Sequence, residues 1–164
     1  MTVSDNRKGY DKILEQIDLL ENSYVLVGFQ EGTVTKAQYK EKVRKEPGQS
    51  MAQIAAENEF GTRQIPARPF MRTSFDENRR QIDTSISTEY EKIIDGKSTT
   101  KKSLGLIGLF MTNLIQKKIR DIHFPPNSPN TIALKKSSKP LIDFGQMISA
   151  VTSKVVLQWD ALRF

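Results

Sequence analysis

Residues 54–75, IAAENEFGTRQIPARPFMRTSF, carry the signals that divide this chain into its parts. Before Gly61, Met51, Ile54, Ala55 and Phe60 recur at helical spacing behind Ser50, so a short helix is expected over 51–60 with those four side chains turned inward. Gly61 suits its C-terminal stop. Pro66 and Pro69 then fix the backbone on either side of Ala67 and Arg68. From Phe70 onward Met71, Phe75, Ile82, Ile86, Tyr90 and Ile93 form one stripe, which predicts a long helix over about 70–95 ended by Gly96. The stretch thus reads as helix, stiff corner, helix, with Phe70 as the anchor between them.

Downstream, a second long helix is expected over about 99–123. Leu104, Ile107, Gly108, Met111, Leu114, Ile115, Ile119 and Ile122 line its apolar side, and Gly105 and Gly108 allow another backbone to come close. Its neighbour across a short polar link is the 70–95 helix, and an antiparallel hairpin follows naturally. FPPNSPNT, 124–131, reads as a rigid turn, and 131–140 as holding one helical turn. Asp143 is placed to cap another through Met147 and Ile148. Beyond it, Val151, Ser153, Val155 and Leu157 alternate with Thr152, Lys154 and Val156, a strand pattern.

Upstream, Tyr10, Ile13, Leu14, Ile17 and Leu20 predict a helix over 8–22, and SYVLVGF, 23–29, a buried strand. Residues 30–49 lack an apolar period and contain Pro47-Gly48, so they read as an exposed loop or arm that orders on assembly. The expected fold is α+β: strands near 23–29 and 150–158 form a small antiparallel sheet, with any strand from the arm beside them, packed on one face by the long helices in a single domain, 1–164.

Composition narrows function. The 164 residues include no cysteine, so disulfide frameworks and thiolate metal sites are excluded. The N-terminus has no apolar segment of the kind that directs secretion, and the longest apolar run, LGLIGLFM at 104–111, is far short of the ~20 residues that cross a bilayer. Net charge is +6. The basic excess lies in 97–139, where Asp121 is the only acid and the rest of the chain is slightly acidic. That segment suits phosphate or an acidic protein surface, but its aromatics are Phe110 and Phe124 alone, too few to interleave with its lysines as a row of stacking platforms.

Catalytic motifs are wanting. His123, the one histidine, precedes two prolines and suits a helix C-terminus, where its charge meets the dipole favourably. Neither a P-loop nor a G-x-G-x-x-G run occurs. The adjacent acids Asp76 and Glu77, and the pair Glu57 and Glu59, fall on helices at spacings that do not face one another, which makes them solvated helix faces. Ser137, Ser138 and Lys139 form a polar link, not a buried Ser–Lys pair. No catalytic, cofactor-binding or metal-ligating residue is expected.

Three phrases taken together, MAQIAAENEFGTRQIPARPFMRTSFDEN, FPPNSPNTIALKKSSKPLIDFGQM and the strand after them, resemble the virion morphogenesis, or tail-completion, proteins of tailed bacteriophages. The resemblance spans roughly 50–158. Asn58 stands where that family often has His, and Phe144 where it often has Thr. The resemblance implies a structural, non-catalytic virion protein made in the host cytoplasm. It implies a homo-oligomeric ring, a hexamer by tail symmetry, in the neck or at the tail terminus. Its partners would be further copies of itself and neighbouring neck, connector or tail-tube proteins. DNA would pass through the channel without sequence-specific binding, and no membrane would be involved.

Within that reading Phe60, Gly61, Pro66, Pro69 and Phe70 form the structural corner. Arg63, Arg68 and Arg72 at its edge, with Lys135, Lys136 and Lys139 in a Pro- and Ser-bounded loop, are the candidate partner contacts, offering charge to carboxylates. The alternative is a nucleic-acid-binding module using 97–139, which salt would weaken steeply.

Overall fold

The computed structural model describes residues 8–30, 32–33, 50–120, 124–135, 141 and 145–157. The elements are α1 (Lys8–Glu21), β1 (Tyr24–Phe29), α2 (Met51–Phe60), α3 (Phe70–Glu77), α4 (Arg79–Ile94), α5 (Thr100–Ile119), α6 (Pro129–Lys135), α7 (Gln146–Ala150) and β2 (Val151–Val156). The fold is α+β: helices dominate, and β1 and β2 pair in a two-stranded antiparallel sheet. The arm expected at 30–49 lies almost wholly outside the described residues, as do His123, Asp143, Lys136 and Lys139.

The run expected as one helix over 70–95 is two. Asn78 separates α3 from α4 at φ −113°, ψ 16°, with its N–H on the Phe75 carbonyl. Its side-chain amide donates to the Ser74 carbonyl at 2.8 Å. An Asn side chain that bonds the preceding turn competes with helix continuation, and apolar periodicity does not register that competition. The rigid turn expected over 124–131 also ends early, because Pro129 opens α6, a position where the missing N–H costs nothing.

By its contacts the chain divides into two compact units, and β1, α5 and β2 each contribute to both. The first takes its residues from 1–26, 79–111 and 153–164. In it α1 packs on α4. Thr100, fully buried at the start of α5, donates its N–H to Gln16 Oε1 (2.9 Å) and its hydroxyl to the Gln16 carbonyl (2.6 Å). Glu89 is also buried. It accepts from Lys92 Nζ at 2.6 Å and from Ser103 Oγ at 2.9 Å. Burial pushes its carboxyl pKa up, but the hydrogen bonds from Lys92 and Ser103, with the Lys92 and Lys102 charges, outweigh it and leave the value below the ordinary one.

The expected close approach occurs at Gly108. A Cβ there would stand 2.7 Å from Val25 Cγ2 and 2.8 Å from Ser153 Cβ, so α5 lies directly on the sheet. Gly105 meets nothing within 4 Å. The apolar row predicted for α1 is only partly covered: Ile13 and Leu20 are half-buried, while Tyr10, Leu14 and Ile17 are exposed.

The second unit, 27–78 and 112–152, holds a core of Ala55, Phe70, Ile115, Ile119, Leu141, Met147 and Val151. Phe29 meets Phe70 edge to face, with ring centroids 6.2 Å apart. α2 contacts α3 and α7. Gln116 on α5 donates to the carbonyls of Ile148 and Val151, which fixes the passage from α7 into β2.

Candidate functional site

The second unit contains the corner at 58–72, and each of its bends has a local cause. Gly61 sits at φ 77°, and a Cβ there would approach Ala67 N to 2.9 Å and Ile65 O to 3.0 Å. Only glycine fits both the sign of φ and the space. Thr62 closes the loop beyond it: its N–H donates to the Ile65 carbonyl at 2.8 Å, and its hydroxyl accepts from the N–H groups of Gln64 and Ile65. Pro69, at φ −74° and ψ 63°, is the central residue of an inverse γ-turn, with Phe70 N–H on the Arg68 carbonyl at 2.7 Å. The turn delivers Phe70, wholly buried, into the core at the first position of α3.

A proline before a helix has no side chain with which to cap it, and Glu59 on α2 does so instead. Its Oε2 accepts from Met71 N–H at 2.9 Å and its Oε1 from Arg72 N–H at 3.1 Å. A carboxylate here satisfies two of the free N–H groups at the helix start and meets the positive end of the dipole. Glu59 is buried, which corrects the expectation of a solvated face. Phe60 is corrected in the opposite sense. It is 72% exposed and not turned inward. Nine residues beyond buried Met51, Phe60 lies about 180° round the helix from it, on the opposite face.

Arg68 is the hub. Its Nε donates to the Pro125 carbonyl (2.8 Å), Nη1 to Asn58 Oδ1 (3.1 Å), and Nη2 to the Pro126 carbonyl (3.1 Å) and Asn127 Oδ1 (3.3 Å). Its N–H donates to the Asn58 carbonyl at 2.6 Å. The expectation that Arg68 offers itself to a partner is therefore corrected: it is 4% exposed and committed to its own chain. The four acceptors, two backbone carbonyls and two Asn side-chain oxygens, are neutral, and burial pushes the guanidinium pKa below its ordinary value. No sequence signal pointed to this role, because the acceptors other than Asn58 lie 57–59 residues away.

Arg72 and Arg63 remain exposed. The Arg72 guanidinium lies 5.9 Å from the Phe60 ring centroid and 3.8 Å from Glu59 Oε1. The outer rim of the corner is thus an exposed aromatic with two arginines, residue types enriched where proteins meet. Pro66 is exposed and Pro69 half-buried.

The basic segment is uneven. Lys118 donates to both carboxylate oxygens of Glu77, at 3.0 and 2.9 Å, and lies 5.8 Å from the Phe124 ring centroid. Lys97 pairs with Asp95 at 2.7 Å. Lys101, Lys102, Lys117 and Arg120 are exposed. Lys135 ends α6 by its backbone. Among the described residues no group of three or more His, Cys, Asp or Glu is placed to hold a metal ion. No helix there is long and apolar enough to cross a membrane.

Glu59, Thr62 and Arg68 are thus each hydrogen-bonded within the corner or to the 125–127 stretch. Compared with protein-family models, curated proteins and solved structures, the chain gives no match.

Proposed function

We propose that this chain is a structural virion protein of a tailed phage that forms a homo-oligomeric ring, a hexamer, at the head–tail junction or tail terminus and completes or joins the tail there. The observation that carries this reading is the convergence at Arg68. Two of the phrases behind the resemblance, NEFGTRQIPARPF and FPPN, are distant in sequence and meet in one hydrogen-bonded node. What the phrases share is thus a rigid part, as a non-catalytic assembly role requires. Self-assembly has separate support. Apart from Phe60, the large apolar side chains exposed among the described residues all belong to the first unit: Tyr10, Leu14, Ile17, Tyr24, Leu26, Tyr90, Ile94, Leu106 and Leu109. Such side chains offer apolar area that a further copy of the chain would cover.

The test is location. Gold-labelled antibody raised against the chain should decorate intact particles at the neck or the tail end. Label on the capsid shell alone, or on no particle, refutes the proposal. Tight, steeply salt-dependent binding of the purified protein to duplex DNA would favour the nucleic-acid module instead.

A further inference from the structure

Two uncovered rows in the first unit match one another. On α1, Tyr10, Leu14 and Ile17 are 63%, 40% and 39% exposed. With exposed Glu21 they occupy positions i, i+4, i+7 and i+11, one line along the helix. Asp11, Glu15 and Asp18, also exposed, border that line on its solvent side. On α5, exposed Lys102 begins a row of the same spacing, followed by Leu106 and Leu109 at 42% and 54% exposure. Lys101 adds a second exposed cation beside it. Both rows are open to solvent, so neither covers the other within one chain.

The charges stand at the wrong ends of their helices. Glu21 closes α1, where the dipole disfavours an anion, and Lys101 and Lys102 lie in the first turn of α5, where it disfavours cations. An antiparallel pairing brings those two ends together and relieves both. A parallel pairing leaves both in place.

We propose that the α1 row of one copy packs antiparallel on the α5 row of a second copy, with Leu14 against Leu109, Ile17 against Leu106 and Glu21 against Lys102. This inference rests on the reading of the chain as a self-assembling subunit, and it gives that assembly its geometry. The two rows are different surfaces, so the contact is heterologous. Each copy uses one row on either side, and repetition closes a ring when the rotation per copy divides the circle. Apolar pairs supply attraction, while the acidic and basic borders set partner, direction and register.

The chain has no cysteine, which makes a cross-linking test free of background. Full-length Leu14→Cys and Leu109→Cys chains are prepared separately, mixed, and treated with a short bismaleimide. The mixture should give a cross-linked heterodimer, each variant alone should give none, and a chain carrying both cysteines should give a ladder ending in a closed ring. Lys102→Glu should raise the dissociation constant at least about tenfold, and adding Glu21→Lys in the same chain should restore it. Both positions are exposed, but the Lys102 charge also favours the buried Glu89 carboxylate; circular dichroism of each variant should match the parent, and Lys102→Gln, which adds no anion beside Glu89, should weaken the contact in the same direction. If the parent oligomerises by native mass spectrometry but the mixed cysteines do not join, this interface is wrong while self-assembly stands. Cross-linking of Leu14→Cys to itself would likewise overturn the pairing. A parent that is monomeric at every concentration would overturn the pairing and the ring together.

Discussion

Gly108 and Gly105 lie one helical turn apart on α5, and the same substitution at each should move stability in opposite directions. In a helix interior Gly→Ala is favourable by about 0.8–1.0 kcal/mol through backbone entropy. At Gly105 nothing lies within 4 Å of the new methyl, so that gain survives. It corresponds to a rise of about 2–4 °C in Tm for a chain of this size. At Gly108 the methyl would stand 2.7 Å from Val25 Cγ2, 2.8 Å from Ser153 Cβ and 2.9 Å from Ser153 Oγ. Carbon atoms rest at about 3.5–4.0 Å, so each neighbour must retreat by most of an ångström. Val25 is β-branched and stiff, and the Cβ of Ser153 moves only with its strand. Overpacking of this kind costs about 1–3 kcal/mol. The propensity gain offsets part of it, and Gly108→Ala should be less stable than the parent by up to about 2 kcal/mol. Urea unfolding of the two variants beside the parent measures both signs, with the m-value unchanged if the native state keeps its compactness. A Gly108→Ala protein as stable as Gly105→Ala would refute the contact between α5 and the sheet.

Phe70→Ala should cost about 3–5 kcal/mol, because the ring is wholly buried and packs on Phe29; calorimetry showing an unchanged Tm would remove it as the anchor. Arg68→Ala should cost about 2–3 kcal/mol by leaving Asn58, Asn127 and two carbonyls without their donor, read by chemical denaturation. Thr112 Oγ1 is buried without a hydrogen-bond partner, so Thr112→Val should stabilise by about 1 kcal/mol, and a loss of that size would show the hydroxyl to be satisfied. Glu89 has a folded-state pKa below its unfolded value, so its carboxylate contributes stability above the unfolded pKa and loses that contribution as pH falls through the folded one. Glu89→Gln should therefore flatten the acid limb of the stability–pH curve below about pH 4.3, and an unaltered limb would place the titrating group elsewhere.

The elements whose causes are local were legible in the sequence. The 51–60 helix and its Gly61 stop, the strands near 23–29 and 150–158, and the close approach at Gly108 each follow from spacing or from a residue's own backbone freedom, and each is present. What periodicity could not register depends on residues far along the chain. Glu59 is buried because α3, further along the chain, takes its carboxylate as a cap, whereas Phe60 is exposed for a local reason, its place on the face of α2 opposite Met51. Arg68 has the composition of a surface contact, and its acceptors at 125–127 lie beyond any local window. The break at Asn78 was hidden by apolar residues that keep their period across it. The row on α1 was read as a core face because a stripe of Leu and Ile looks the same whether its cover is its own chain or another, while Leu106 and Leu109 fell outside the apolar side that spacing assigned to α5.

The wiring of Arg68 also imposes an order on biosynthesis. Glu59 meets the start of α3 across 12 and 13 residues, so that cap can form as soon as α3 leaves the ribosome. The guanidinium, by contrast, has no carbonyl at 125 or 126 to bond until the chain has been made that far, and β1 waits longer still for a strand that begins at Val151. Closing such long loops is slow relative to local helix formation. The nascent chain therefore carries a capped but unlocked corner from the completion of α3 until Pro125 and Pro126 have been made. A nonsense or frameshift change after α5 would release helices of normal length with the corner open and β1 unpaired, a product with exposed edges that is prone to aggregate.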